Sequence, residues 1–428
     1  MKKLLIKEGR VIDPVNGVDE QLDILIAEGE VVQIAAQIED QEAEIIEANN
    51  KVVTPGLIDM HAHFREPGFE HKETIKTGSE SAVAGGFTSV ACMPNTDPVV
   101  DNASVVESIL NRAAEAKVNL FPIGSITKDL AGEELAEIGF MRKSGIVAIS
   151  DDGETVMNSQ LMKSALEYVQ AFDLPVITHC EDQSLVGEGV VNEGYYSTVT
   201  GLEPIPAVAE DIIVARDIKL AELTNTHLHI AHVSTKGAVE LIKAAKQRGV
   251  SVTAEVTPHH LALTDEAITT FDTSTKVNPP LRSAEDVAAL KEALAEGTID
   301  AIATDHAPHA WEEKDVGYDN APFGISGLET ALSVLITELV QPGLLSWSQL
   351  VEKLTVKPAD ILGLDKGRLE VGAVADVTVI DPEFEYTVDV DKFYSKGKNS
   401  PFAGRTLTGK AVTTIVDGEL VMKDGQVL

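Results

Sequence analysis

Gly145-Ile146-Val147-Ala148-Ile149-Ser150-Asp151-Asp152-Gly153, then residues 157–172, then Pro175-Val176-Ile177-Thr178-His179, carry the chain's repeating unit. Its first and third pieces are short β-rich runs with polar tips. The middle piece places apolar residues at a 3.6-residue period. Strand, helix and strand in that order read as a parallel βαβ unit. Working outward, the alternation continues on both sides. Eight β-rich runs fall near 57–64, 87–93, 118–126, 145–150, 174–180, 226–233, 251–257 and 299–304, with helical periodicity at 105–116, 205–223 and 284–295. Eight repeats predict an α/β fold built on a (β/α)₈ TIM barrel. A doubly wound open sheet is the alternative, but no Gly-rich phosphate fingerprint follows the first run.

The two ends of the chain read differently from the middle. Residues 23–34 form two short strands around a Gly turn, residues 414–422 repeat that hairpin with Asp417-Gly418 as the turn, and residues 375–381 alternate as a further strand. Neither end alone has enough strands for a stable sheet. One small discontinuous β-sandwich is therefore expected from 1–54 and 365–428, with the barrel inserted as 55–364.

Lys and Arg total 34 against 69 for Asp and Glu, a net charge of −35 that repels nucleic acid and anionic membrane surfaces as partners. An anionic small molecule stays admissible only if local cations offset this field. Two cysteines, Cys92 and Cys180, cannot make a disulfide framework, which points to a reducing cytoplasm. The start Met1-Lys2-Lys3-Leu4-Leu5-Ile6-Lys7 is too short in apolar residues for a signal peptide. No apolar run approaches the roughly 20 residues of a membrane span.

The chemistry gathers at the strand ends. In Leu57-Ile58-Asp59-Met60-His61-Ala62-His63-Phe64-Arg65, strand alternation predicts that His61, His63 and Arg65 project to one side. Alone, a His-x-His pair is more often packing or surface than a metal site. The fifth run, however, ends in His179, the sixth carries His232, the eighth ends in Asp305, and the fourth ends in Asp151-Asp152. Four histidines and two or more carboxylates suffice for two adjacent metal ions sharing a bridging carboxylate. The other candidates read as supporting or structural. His259 and His260 suit second-sphere or structural places, and His229 lies opposite His232 in strand parity, as a satisfied core residue. His227 starts a strand, His71 lies in a loop, and His306 suits an orienting hydrogen bond. Cys180 reads as packing.

This constellation resembles the amidohydrolase superfamily, and in detail the bacterial type I dihydroorotases, across essentially the whole chain. The most specific pieces are His61-Ala62-His63-Phe64-Arg65-Glu66-Pro67-Gly68, Met93-Pro94-Asn95-Thr96, Ser150-Asp151-Asp152-Gly153, Asn278-Pro279-Pro280-Leu281-Arg282 and Ala303-Thr304-Asp305-His306-Ala307-Pro308-His309. The resemblance implies that His61, His63, His179 and His232 are metal ligands, that Asp152 bridges with Asp151 as the alternative, and that Asp305 is both ligand and catalyst. It implies zinc, two ions per subunit. Hydantoinases and several other dihydroorotases bridge their metals with a carboxylated lysine on the fourth strand; this chain has no lysine there.

The implied reaction is the reversible hydrolysis of dihydroorotate to carbamoyl-aspartate in pyrimidine biosynthesis. Metal ions bring the pKa of a bound water toward neutrality, and Asp305 would move its proton to the departing nitrogen. Arg65 offers a planar fork to the substrate carboxylate; a salt bridge to Glu66 or Glu70 is its plainer alternative. The resemblance adds His63, Asn95 and His309 to that clamp, and Asn278, Phe323 and Gly324 against the ring. A homodimer and an association with aspartate carbamoyltransferase are compatible with it. Two other readings compete: a dihydropyrimidinase, hydantoinase or allantoinase, and an inactive paralogue acting as a scaffold. Arg65 opposes the first and the complete ligand set opposes the second.

Overall fold

Eight parallel strands close on themselves. In the computed structural model, which describes residues 3–428, Leu57–Ala62, Phe87–Cys92 and Asn119–Pro122 pair in order. Ile149–Ser150, Val176–Thr178, Leu228–Ile230, Val252–Val256 and Ala301–Ile302 pair likewise. Parallel bridges from Gly124 to Ile149 and from Ala62 to His306 join the two sets at both ends. The ring is complete, which an open doubly wound sheet would not be. Met1 and Lys2, part of the basic start discussed above, lie outside the described residues.

Helices cover the outside because their apolar stripes need the sheet. Ile75–Gly85 starts at a Thr74 capping box and stops at Gly86, whose φ of 90° turns the chain into the second strand. Asn102, Asn158, Thr235 and Ser283 cap later barrel helices in the same way, each side chain accepting from a first-turn backbone N–H. Val83, Val106, Leu166, Ile242 and Leu290 on these helices are fully buried in one cluster with the outward-facing strand residues Val90, Val176, Ile230 and Val256. A second cluster, Met60, Ala91, Ile123, Ile177 and Ala301, draws on different barrel strands and is the barrel interior; Ile361 and Leu362 of the helix Val356–Leu362 join it.

The strands from the two ends of the chain build a β-sandwich domain. Val52–Pro55 pairs antiparallel with Val377–Thr387 and parallel with Leu4–Asp13, so the N- and C-terminal parts share one hydrogen-bonded sheet. Ile6, Ile24, Val53, Val377 and Ile415 fill its core. Among the described residues no helix is long and apolar enough to cross a membrane.

Candidate metal centre

A β-bulge aims the first histidine. Asp59 pairs with Val90 and Ala62 with Cys92, so two residues, Met60 and His61, stand opposite Ala91 alone. Both therefore turn inward: Met60 enters the interior core, and the His61 ring reaches Asp152, with Nε2 3.2 Å from Oδ1. His63 follows two residues later, its Nε2 3.4 Å from Asp152 Oδ2 and 3.0 Å from Asp305 Oδ1. His179, just past the fifth strand, sets Nδ1 2.9 Å from His232 Nε2. His232 Nε2 lies 3.5 Å from Asp152 Oδ1.

Two buried triads result, His61–His63–Asp152 and Asp152–His179–His232, each with ligand atoms within 4.8 Å of one another. Asp152 belongs to both. The donor set fits metal ions on an independent count. His61 Nε2 and Asp152 Oδ1 are buried and have no hydrogen-bond partner among the described residues. Such atoms are costly unless something else satisfies them. The ligand nitrogens are also preselected. His61 Nδ1 is 2.6 Å from Glu255 and His63 Nδ1 is 2.8 Å from Asn95 Oδ1, so in both rings Nε2 is left with its lone pair facing Asp152.

Asp151 occupies a different environment. Its carboxylate accepts from the backbone N–H of Ile126 (2.7 Å) and Thr127 (3.0 Å) and from the Thr127 hydroxyl, pinning the fourth strand to the loop before it. Burial nevertheless raises it to about 6. Asp152 moves the other way: burial opposes it, but His61, His232 and His63 hold it well below the usual carboxylate range. Asp152→Ala should therefore lower bound metal per chain, whereas Asp151→Ala should loosen the strand tip and keep the full complement. Metal analysis of the two purified variants decides; the reverse ranking would move the bridge to Asp151.

Glu255 escaped the sequence reading. It sits fully buried on the seventh strand, between His61 and His229, whose Nε2 is 3.2 Å away. Burial would raise its carboxyl, yet the two imidazoles bring it down to about 2. Its signal was present, a glutamate at an inward position of the apolar run Val252-Thr253-Ala254-Glu255-Val256. A charge there persists only with partners.

Two sequence expectations need correction. His229 and His232 were assigned to opposite faces by alternation, but the strand ends at Ile230 and His232 takes a φ of 32°, which swings it back toward the site. His229 is buried and bonded to Thr253 and Glu255, as a satisfied core histidine should be. Arg65 likewise does not reach its place by alternation. The first strand stops at Ala62 and Arg65 has φ 61°. Its Nε donates to the Pro308 carbonyl at 3.3 Å, and Nη2 lies 3.5 Å from His309 Nε2. The alternative pairing is not made: Glu66 is bound by Arg112 and by the Ile75 N–H.

The remaining candidates gather around the same mouth. Asn95 donates from Nδ2 to the Asp152 carbonyl at 3.3 Å. Asn278 Nδ2 is 3.5 Å from His179 Nε2, and its Oδ1 is buried without a partner among the described residues. His309 Nε2 donates to the Phe323 carbonyl at 2.7 Å. Burial, with Arg65, Lys314 and Lys72 adding to it, lowers His309 to about 2, so the ring is neutral. Gly324 has φ 125°, and a Cβ there would lie 2.7 Å from Ala307 and 3.2 Å from His309 Nε2. Lys72 Nζ stands 3.4 Å from His309 Nδ1. Arg65 and Lys72 are thus local cations in a chain whose net charge is −35, while burial, with Lys276 adding to it, lowers Lys314 to about 7. His306 holds Glu73 and the Gly327 N–H, His260 bridges Thr257 and Pro279, and His71 pairs with Glu313, whose carboxylate also lies 3.2 Å from Lys72 and 3.4 Å from His309 Nδ1. His259 is buried with Nε2 unpartnered among the described residues, and His227 bonds Thr253.

Comparison with known proteins agrees with this geometry. The sequence profile of the amidohydrolase family matches residues 52–421. The chain is 57% identical to a dihydroorotase of Pelotomaculum thermopropionicum over 99% of both chains. It is 55% identical to a dihydroorotase of Geotalea daltonii, over 98% of this chain and 99% of that one. Among solved structures it superposes on an L-hydantoinase (dihydropyrimidinase) from Arthrobacter aurescens with TM-score 0.90 and 29% identity, covering 100% of this chain and 98% of that chain. A dihydropyrimidinase from Brevibacillus agri, with TM-score 0.85 and 23% identity over 100% and 96% of the two chains, shares the fold. The chain belongs to the amidohydrolase family and, within it, to the bacterial dihydroorotases.

Proposed function

We propose that the chain interconverts (S)-dihydroorotate and N-carbamoyl-L-aspartate, with two zinc ions per subunit, in the cytoplasm. The observation that carries the substrate assignment is the cation cluster around Arg65 and His309, at the mouth of two histidine–carboxylate triads in an otherwise strongly acidic protein. His61, His63, His179, His232, Asp152 and Asp305 would hold the metals, a nitrogen-rich set suited to zinc. Bound there, divalent ions supply Lewis-acid polarisation of the scissile carbonyl and lower the pKa of water.

The chain's own groups do the rest. Arg65 spends Nε on Pro308 and keeps its two terminal nitrogens for the substrate carboxylate. Asn95 still has one Nδ2 hydrogen free for the same group, because the amide carries two. Asn278 Oδ1, buried and unpartnered, accepts a ring N–H. Phe323 and Gly324 line the ring's other edge. Asp305 takes the proton from the attacking water and returns it to the ring nitrogen as the amide bond breaks; cyclisation runs the same transfer backward.

Metal loading tests this reading and has a definite pH sign. Burial alone would lower both imidazoles, but Asp152, Glu255 and Asp305 raise His61 well above its usual value, and Glu181 with Asp152 raises His179. A raised pKa increases the proton that zinc must displace from these rings. Zinc titrated into chelator-treated protein at pH 7 should release protons, bind more weakly as the pH falls, and restore dihydroorotate turnover. Full turnover in verified metal-free protein would overturn the proposal. The fold match to an L-hydantoinase favours a second reading, a cyclic amidase without carboxylate selectivity.

A further inference from the structure

We propose that Asn399, contributed by the C-terminal part of the chain, is a positioning residue that sets the spacing of the carboxylate clamp. The inference rests on the clamp assigned above to Arg65, His309 and the Phe323–Gly324 backbone.

Between the strands Val377–Thr387 and Thr406–Val416 the chain runs onto the barrel mouth. Ser395 Oγ donates to the buried Glu73 carboxylate, and Gly397 passes so close that a Cβ on it would lie 2.5 Å from Pro308. Asn399, buried at 5% exposure, then engages both sides of the clamp at once. Its Oδ1 accepts from the His309 N–H at 3.1 Å, and its Nδ2 donates to the Gly324 carbonyl at 3.0 Å. Ser326 Oγ lies 2.9 Å from the Gly397 carbonyl and 3.2 Å from the same Oδ1, with one hydroxyl proton to share between them, while the Ser326 N–H donates to the Asn399 carbonyl at 2.9 Å.

The direction of the amide is dictated by its neighbours, since a backbone N–H can only donate and a carbonyl can only accept. The His309 ring closes the loop by donating to the Phe323 carbonyl at 2.7 Å. Beyond the backbone bond from the Ala307 N–H to the Ile325 carbonyl at 2.7 Å, this planar amide therefore braces the segment bearing His309 against the segment bearing Phe323 and Gly324. Neither segment is tied to the other by chain continuity over this gap of 14 residues. A carboxylate cannot replace the amide, because it keeps the acceptor and turns the donor into a charge facing a carbonyl.

The test compares wild type with Asn399→Asp and Ser326→Ala in steady-state kinetics on dihydroorotate, carbamoyl-aspartate and dihydrouracil, with metal content measured on each preparation. Asn399→Asp should raise KM for the two carboxylate substrates about tenfold or more, the usual effect of an unsatisfied buried partner. The ratio of kcat/KM for dihydroorotate over dihydrouracil should fall by a similar factor, at unchanged metal content. Ser326→Ala, a gentler change that keeps the variant set informative if the aspartate does not fold, should move both quantities the same way by about threefold. A purely structural role would reduce the active fraction, lowering kcat on every substrate and leaving KM and the ratio in place; that result overturns the proposal. Wild type that leaves dihydroorotate untouched would overturn the clamp reading itself, before any variant is compared.

Discussion

Asp305→Asn is expected to lower turnover about 10²–10⁴-fold in both directions, the usual worth of a general acid–base group. The substitution isolates the proton. Asn keeps the shape and one acceptor oxygen but cannot hold a proton between two steps. It should also fold: Asp305 takes a φ of 47°, a left-handed conformation that Asn adopts readily. The backbone around it is held independently, with the Thr304 N–H and hydroxyl bound to Asp59 at 2.9 and 2.6 Å and the Asp305 N–H bound to the His61 carbonyl at 3.0 Å. Rates should be compared at measured metal content, because Asp305 Oδ1 lies 3.0 Å from His63 Nε2 and a changed carboxylate also weakens the metal's surroundings. Wild-type turnover in a fully loaded Asp305→Asn variant would remove Asp305 from proton transfer.

The second large effect is on substrate choice. Dihydrouracil has the ring of dihydroorotate without the carboxylate, so in this site it would leave Arg65 desolvated and unpaired. Sites built around one polar group reject analogues lacking it by about 10⁴–10⁵; because Arg65 is only half-buried, about 10³ is a reasonable lower bound here. Arg65→Met should collapse that ratio by losing efficiency on dihydroorotate, with little gain on dihydrouracil, since no apolar pocket replaces the cation. A ratio unchanged by Arg65→Met would take Arg65 out of the clamp. Equal wild-type efficiency on the two substrates would favour the cyclic-amidase reading.

The barrel was legible because its signals are local. Several β-rich runs are followed by a helical period, and the polar tips of five of them fall where the strand leaves the sheet. The terminal hairpins were legible for the same reason. What remained hidden depends on residues far apart in sequence or on single backbone angles. The bulge at Met60–His61 follows from pairing with the second strand, and the positive φ values at His232 and Arg65 appear only where the strands stop. Alternation therefore placed His61 and His63 on one side but misassigned how His232 and Arg65 arrive. Glu255 meets His61 across 194 residues and Asn399 meets His309 across 90, so neither partner could be named from spacing. Asp151 and Asp152 differ in surroundings that spacing does not show: Asp151 spends its oxygens on backbone N–H groups, and Asp152 Oδ1 has no partner among the described residues.

On the proposed reading, this site closes and opens the ring of a carboxylate-bearing dihydropyrimidine. The direct measurement follows purified, zinc-loaded protein from both ends, one reaction started with carbamoyl-aspartate and one with dihydroorotate. Both should approach the same mixture, and both should stop on chelation and resume when zinc is returned. Fully loaded protein that opens dihydrouracil or hydantoin but leaves dihydroorotate and carbamoyl-aspartate unchanged would contradict the account.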